Sequence, residues 1–213
     1  MRLTADIHYH VGMDVPLTKA RLEAEGIGAF FRPRDIAAIG VSFKQLQRLV
    51  SVGKVEKLGD GLYRLAEVEP TELETIAMVA SAVPQAIVCL LTALRVHEIG
   101  TQSPHEVWIA LDRKSRKPTR VPAKLRIVRY SGAMLTYGVI KRSMLGVPVS
   151  ITSPARTVVD CFRYRNKVGL DVAMEALRDA ISRRKTTVDE ISRAADICRI
   201  RTVMKPYLEA LSA

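Results

Sequence analysis

The sequence predicts an α/β (α+β) fold: an N-terminal winged helix-turn-helix over residues 1–68, then a mixed α/β domain over 69–213 that ends in helices. Three observations predict it. The first 66 residues read helix, helix, turn, helix, hairpin. Residues 106–151 hold four short runs of β-forming residues. From Ser153 onward, helix-start signals recur to the end of the chain.

The elements follow in order. Residues 16–25 (PLTKARLEAE) form a short helix closed by Gly26 and Gly28, and residues 29–32 a short extended piece. Residues 33–39 open with Pro33 at a first-turn position and stop at Gly40. Ser42 with Gln45 three residues on is a capping box, since each side chain satisfies the other's free backbone N–H. It starts a helix over 42–52 that Gly53 ends. Residues 54–58 and 62–65 are strands around the turn Gly59-Asp60-Gly61. Thr71 with Glu74 caps a helix over 71–82 that stops before Pro84. An apolar helix over 86–98 ends at Gly100. Strands follow at 106–111, 125–130, 137–141 and 147–151, with Gly146 before the last. Ser153 caps a helix that starts with Pro154 and runs to residue 163. Further helices cover 169–184, a segment capped by Thr187 and Glu190, and 202–211.

Composition narrows the function classes. Hydrophobic residues make up 48% and charged residues 26% of the 213, the balance of a globular chain rather than a disordered one. No apolar run approaches the ~20 residues a bilayer needs, and MRLTADIHYH lacks the apolar core of a secretory signal, so a cytoplasmic protein without membrane contact is expected. Cys89, Cys161 and Cys198 are scattered, which fits neither a disulfide scaffold nor a zinc ribbon and suits a reducing compartment.

Charge is the first positive clue. The net charge is +11 and the pI near 9.9, values that point to a polyanionic partner. The charge is uneven: net +3 over 1–66, −4 over 67–105, +8 over 106–145 and +4 thereafter. Between Asp112 and Asp160 no carboxylate occurs, while Arg113, Lys114, Arg116, Lys117, Arg120, Lys124, Arg126, Arg129, Lys141, Arg142 and Arg156 do. That reads as a one-signed, anion-binding surface, against the plainer reading of solvated basic loops.

The helix over 42–52 has the content of a recognition helix. At ~100° per residue, Phe43, Leu46, Leu49 and Val50 fall within an arc of about 120°, and Lys44, Gln47, Arg48 and Ser51 within about 100° opposite. No Asp or Glu occurs from residue 36 to 55. Lys, Gln, Arg and Ser donate to base edges and phosphates, and no carboxylate there repels the backbone of DNA. Ser42, Lys44, Gln45, Gln47, Arg48 and Ser51 are therefore the expected DNA-binding residues of this helix. Lys54, Lys57, Tyr63 and Arg64 are those of the hairpin wing, and Arg32 and Arg34 lie just upstream. Glu56 departs from a purely basic wing.

Catalysis and metals have little support. His8 and His10 form no ligand set alone, and His97, on an apolar helix, reads as a satisfied semi-buried histidine. The phosphate-cradling GxxxxGK[ST], the dinucleotide GxGxxG and the nucleophile-elbow GxSxG motifs are missing. A nuclease would need paired carboxylates for Mg²⁺, whereas Glu106 and Asp112 sit at opposite ends of one strand. No catalytic residue, metal or cofactor is expected. In ITSPARTVVDCF, Arg156 and Asp160 lie one helical turn apart and can pair, and Arg156 has the alternative of joining the basic surface.

Several stretches together resemble the AbiEi family of antitoxins from type IV toxin–antitoxin, or abortive-infection, systems. They are FRPRDIAAIGVSFKQLQRLVSVGKVEKLGDGLYRL, AIVCLLTALRVHEIG, EVWIALDRKSRK and GVPVSITSPARTVVD, the last being the most specific. The stretches run from Phe31 to Asp160, and the resemblance covers roughly residues 15–162. The resemblance implies a winged helix that binds inverted repeats in its own promoter as a repressor, with self-association on DNA. It also implies an antitoxin body that counteracts a nucleotidyltransferase-like toxin without a stable complex. An alternative remains: the basic region 113–142 binds RNA or an acidic protein, and the winged helix is an interaction module.

Overall fold

A computed structural model describes residues 17–59, 61–67, 73–121 and 123–210. The N-terminal unit contains α1 (Lys19–Ala24), β1 (Phe30–Phe31), α2 (Pro33–Ala37), α3 (Phe43–Ser51), β2 (Val55–Gly59) and β3 (Leu62–Leu65). β3 pairs antiparallel with both β1 and β2, giving the order β1-β3-β2. Local chemistry sets the helix ends. The Thr18 hydroxyl accepts from the Arg21 N–H, and Asp35 accepts from the Arg32 N–H at 2.7 Å. Ser42 and Gln45 form the capping box, with Gln45 Oε1 accepting from the Ser42 N–H at 2.8 Å and Ser42 Oγ from the Gln45 N–H at 3.2 Å. The winged helix-turn-helix is present.

The body adds α4 (Glu74–Ala82), β4 (Ile87–Val88), α5 (Leu90–His97), β5 (Val107–Asp112), β6 (Leu125–Tyr130), a single 3-10 turn (Gly132–Leu135), β7 (Val139–Met144) and β8 (Val147–Thr152). Helices α6 (Pro154–Arg163), α7 (Arg165–Val168), α8 (Leu170–Ser182), α9 (Val188–Ile197) and α10 (Arg201–Glu209) follow. The five strands lie in the order β6-β5-β4-β8-β7; β5/β6 and β4/β8 are parallel, the other pairs antiparallel.

Two differences from the sequence reading have physical causes. Residues 86–98 are not one helix: Ile87 and Val88 form the central strand, and the helix begins only at Leu90, because the edge-to-edge gap between β5 and β8 is closed by these two residues. The strand expected at 137–141 runs 139–144, since the 3-10 turn and Gly138, at φ +63, bring the chain round first. The Thr71–Glu74 capping box lies outside the described residues at Thr71, as do His8 and His10, and α4 begins at Glu74.

Alternation along the strands divides the apolar residues between two faces. Ile87, Trp108, Ala110, Val128 and Tyr130 point to one face and pack under α5, α6, α8, α9 and α10. Val88, Val147, Val149 and Ile151 point to the other, in one cluster with Leu22, Phe30, Ile36, Leu46 and Leu65 of the winged helix and Ala77 of α4. On that second face, nearer β5 and β6, Val107, Ile109 and Leu111 pack with Val79 and Val83, and Val121 and Ala123 lie against them. The result is three layers: winged helix with α4, sheet, helices.

The winged helix docks by close backbone approach. Leu145 (φ 52) and Gly146 (φ 76) make the two-residue β7–β8 turn, whose paired positive φ values match a type I′ hairpin. The Ala29 N–H donates to Leu145 O at 3.0 Å. A Cβ on Gly28 would meet Gly146 C and Val147 N at 2.7 Å, so only glycine fits there.

Beneath the sheet is a buried polar cluster. Arg156 and Asp160 are both fully buried. Arg156 Nε donates to Asp160 Oδ1 at 2.9 Å, Nη1 to Tyr137 O at 2.6 Å and Nη2 to Met134 O at 3.2 Å. The guanidinium lies 4.9 Å from the Tyr130 ring centroid, and the Tyr130 hydroxyl donates to Asp160 Oδ2. Burial pushes the Asp160 carboxyl above its ordinary pKa, and Arg156 with the Tyr130 hydroxyl pull it back. Arg156 thus takes the structural one of its two readings; it is not part of a basic surface.

Arg156→Ala removes the counter-charge bonded to Asp160 and is expected to cost about 3–5 kcal/mol in urea unfolding, against within ~0.5 kcal/mol for exposed Lys117→Ala. His97, 3% exposed, donates from Nε2 to Thr152 O at 2.7 Å. Burial pushes its pKa down; the Thr152 bond opposes this, and Arg142 and Lys185 reinforce it. The unfolded chain therefore takes up a proton at this ring that the folded chain refuses. The stability this neutral ring contributes is full above about pH 6.5 and is lost as pH falls below it, by at most ~1.4 kcal/mol per pH unit. Denaturation of wild type and His97→Gln at pH 7.5 and 5.5 should show a smaller loss in the variant.

Candidate nucleic-acid interface

Helix α3 is held by its apolar side. Leu46 is fully buried, and Leu49 and Val50 are half-buried against the same cluster. Lys44, Gln47, Arg48 and Ser51 are exposed along the opposite side. Gly53, at φ +72, ends the helix and turns the chain into the wing. The wing is β2 with β3, and Lys54, Glu56 and Lys57 are exposed on it.

The expected contact residues do not all face solvent as free donors. Ser42 and Gln45 are exposed or half-buried, but their side chains are engaged with each other in the cap. Ser51 Oγ donates to Arg48 O at 2.8 Å. Tyr63 is 2% exposed, its ring stacked on Phe31 with centroids 6.3 Å apart, and its hydroxyl accepts from Gln47 Nε2 at 3.5 Å. Tyr63 is therefore a core residue of the winged helix that reaches α3 from below, because its position opposite Phe31 in the β1–β3 pair points it inward. Arg64 bonds Glu56 at 2.5 Å and also pairs with Glu74, so its charge is neutralised within the fold; this is where Glu56 is used. Arg32 donates from Nη2 to Ala82 O at 3.0 Å, tying α2 to α4. Arg32 and Arg34 line a cleft of about 490 Å³ that also involves Phe30, Pro84 and Pro148. Arg34 is exposed and lies 3.5 Å from Asp35.

The structure thus brings Lys44, Gln47, Arg48 and Ser51 together on one helix face, with Lys54 and Lys57 on the adjoining wing. Sequence reasoning missed Phe43. It sits at the edge of the apolar arc on a helical wheel, next to Gln47, and is 61% exposed. The available signal was its place in the first helical turn, where no preceding turn exists for the ring to cover.

A second basic surface follows β5. Arg129 Nη1 donates to Asp112 O at 2.9 Å and Ser115 O at 2.8 Å, and the Lys114 N–H donates to Asp112 Oδ1 at 2.7 Å. These bonds fix the start of the 113–124 segment, in which Arg113, Lys114, Arg116, Lys117, Arg120 and Lys124 are exposed. Arg126 lies 5.5 Å over the Trp108 ring. Asp112 serves as a local backbone acceptor. Among the described residues, no group of three or more His, Cys, Asp or Glu side chains is placed to hold a metal ion. No helix among them is long and apolar enough to cross a membrane.

Tyr63→Ala is expected to destabilise the protein by about 3–5 kcal/mol in thermal or urea unfolding, the cost of emptying a buried aromatic site. Tyr63→Phe should keep the fold and lose ~1 kcal/mol or less.

The fold is similar to that in the crystal structure of RV2827C protein from Mycobacterium tuberculosis, with a TM-score of 0.56 and 10% identity over 87% of this chain and 75% of that one. No curated protein matches the sequence. The family model described as transcriptional regulator, AbiEi antitoxin matches residues 20–66, the segment from α1 to the end of the wing. That family is described as regulatory, and over this winged-helix segment the chain is similar to the AbiEi antitoxins, in keeping with the resemblance read from the sequence.

Proposed function

We propose that the chain is a cytoplasmic, DNA-binding autorepressor and antitoxin of a type IV toxin–antitoxin system. One observation carries the reading. Helix α3 presents Lys44, Gln47, Arg48 and Ser51 on one exposed face, in a stretch free of carboxylates from residue 36 to 55. In this reading α3 enters the major groove of an inverted repeat in the protein's own promoter, and Lys54 and Lys57 of the wing lie along phosphates. Gln47 and Arg48 supply donors for base edges; Lys44 supplies a phosphate or guanine contact. Two copies occupy the two half-sites, since one winged helix covers too few bases to specify a promoter. The body counteracts a nucleotidyltransferase-like toxin without forming a stable complex with it.

A second reading is favoured by the exposed cations that follow β5, where Arg129 fixes the start of the segment. There, Arg113, Lys114, Arg116 and Lys117 bind RNA or an acidic protein, and the winged helix is an interaction module. Both readings are tested in the full chain, because winged helix and body share one apolar cluster. Replacing Lys44, Gln47 and Arg48 with alanine is expected to abolish preference for the promoter duplex and to lower the salt slope of binding by about 2, for the two cations removed. Alanine at Arg113, Lys114, Arg116 and Lys117 should leave that preference intact. The reverse pattern would favour the second reading.

A further inference from the structure

Phe43 is the most exposed large apolar side chain among the described residues, at 61%. It is the first residue of α3, directly after the N-cap Ser42. The helix does not need it for anchorage, because Leu46 is fully buried and Leu49 and Val50 pack beside it. Side chains on a helix lean toward its N-terminus, so the ring projects past the first turn. That is the end of a recognition helix that reaches deepest toward base edges.

The polar groups around the ring are already committed. Ser42 Oγ accepts from the Gln45 N–H and bonds Gln45 Oε1, which also accepts from the Ser42 N–H. The first turn therefore offers an incoming duplex an apolar ring with Lys44 beside it. In the major groove, the apolar feature of a base pair is the C5-methyl group of thymine. Guanine O6 and N7, the cytosine amino group and the adenine N7 and N6 groups all lose water against a ring that returns no hydrogen bond.

We propose that Phe43 is a specificity-determining residue that reads thymine by packing its ring on the C5-methyl group. This rests on α3 being the recognition helix. The surrounding charge suits that occupant: Lys44 follows the ring in the first turn, and the nearest carboxylates in sequence are Asp35, beside Arg34, and Glu56, bonded to Arg64. The reading is a contact of a base edge in the groove, not insertion between base pairs, which belongs to minor-groove binders that kink the duplex.

The test uses the full chain and a duplex of its own upstream DNA, with single thymines of each half-site replaced in turn by 2′-deoxyuridine. That change keeps base pairing and removes one methyl group. Affinity is read by fluorescence anisotropy at fixed salt for wild type, Phe43→Ala and Phe43→Leu, with a scrambled duplex as reference. Thermal midpoints should stay close to wild type, since the ring is mostly exposed. At one position per half-site, wild type should weaken about fourfold, the effect of one buried methyl group. Phe43→Ala should bind the natural duplex at least that much more weakly and show no further loss at that position, and Phe43→Leu should fall between. Equal losses for wild type and Phe43→Ala at every position, or no loss in wild type anywhere, would overturn the proposal while leaving α3 as the recognition helix. Equal binding of wild type to natural and scrambled duplexes would overturn that assignment and this one with it.

Discussion

Arg156 is the residue on which the geometry of the body depends. It is fully buried, and its guanidinium meets four groups: Asp160 on its own helix, the carbonyls of Met134 and Tyr137 in the turn before β7, and the ring of Tyr130 at the end of β6. Without these bonds the two carbonyls would lose this donor and the Asp160 carboxylate its bonded counter-charge, keeping the Tyr130 hydroxyl, each at a cost comparable to a lost hydrogen bond or more. The cluster therefore fixes where the chain leaves β6 and where it enters β7. Gly138 completes the fit. A Cβ there would lie 2.8 Å from Arg156 Cβ, so the turn closes over the helix only because that position has no side chain.

From this point the constraint passes to the N-terminal unit. The turn sets the β7–β8 hairpin, and the Leu145–Gly146 turn of that hairpin is what Gly28 and Ala29 rest on. Val147, Val149 and Ile151 of β8 then join the same apolar cluster as Leu46 under α3. Winged helix and body are consequently not beads on a linker: they share one apolar cluster. The same sheet face carries Val121 and Ala123 beside the basic 113–124 segment.

Most of the element order was legible because it is written in local chemistry. Ser42 with Gln45, Ser153 with Pro154, and Thr187 with Glu190 each mark a helix start through backbone groups a few residues away, and all three caps form. What was not legible depends on distant partners. Ile87–Val88 is a strand because β5 and β8 lie on either side of it, and two residues carry no readable period. Tyr63 and Arg64 looked like contact residues because basic and aromatic types suit a wing; their fates were decided by Phe31, Glu56 and Glu74. Phe43 fits the helical wheel as core, yet a wheel treats all turns alike, and the first turn overhangs nothing. The exposed polar face of α3 was legible, because Lys44, Gln47, Arg48 and Ser51 needed only the helix period to be brought together.

The central claim is that the α3 face recognises a DNA sequence, rather than that a basic protein adheres to DNA. It is tested most directly by titrating the purified chain against the duplex upstream of its own gene and a scrambled duplex of equal length, across a salt series. The account predicts tighter binding to the natural duplex at every salt concentration, in two steps corresponding to two half-sites, with the preference persisting as both affinities fall. Equal affinities with the same steep salt dependence on both duplexes would contradict it, and would reduce the surface charge to a general attraction for polyanions.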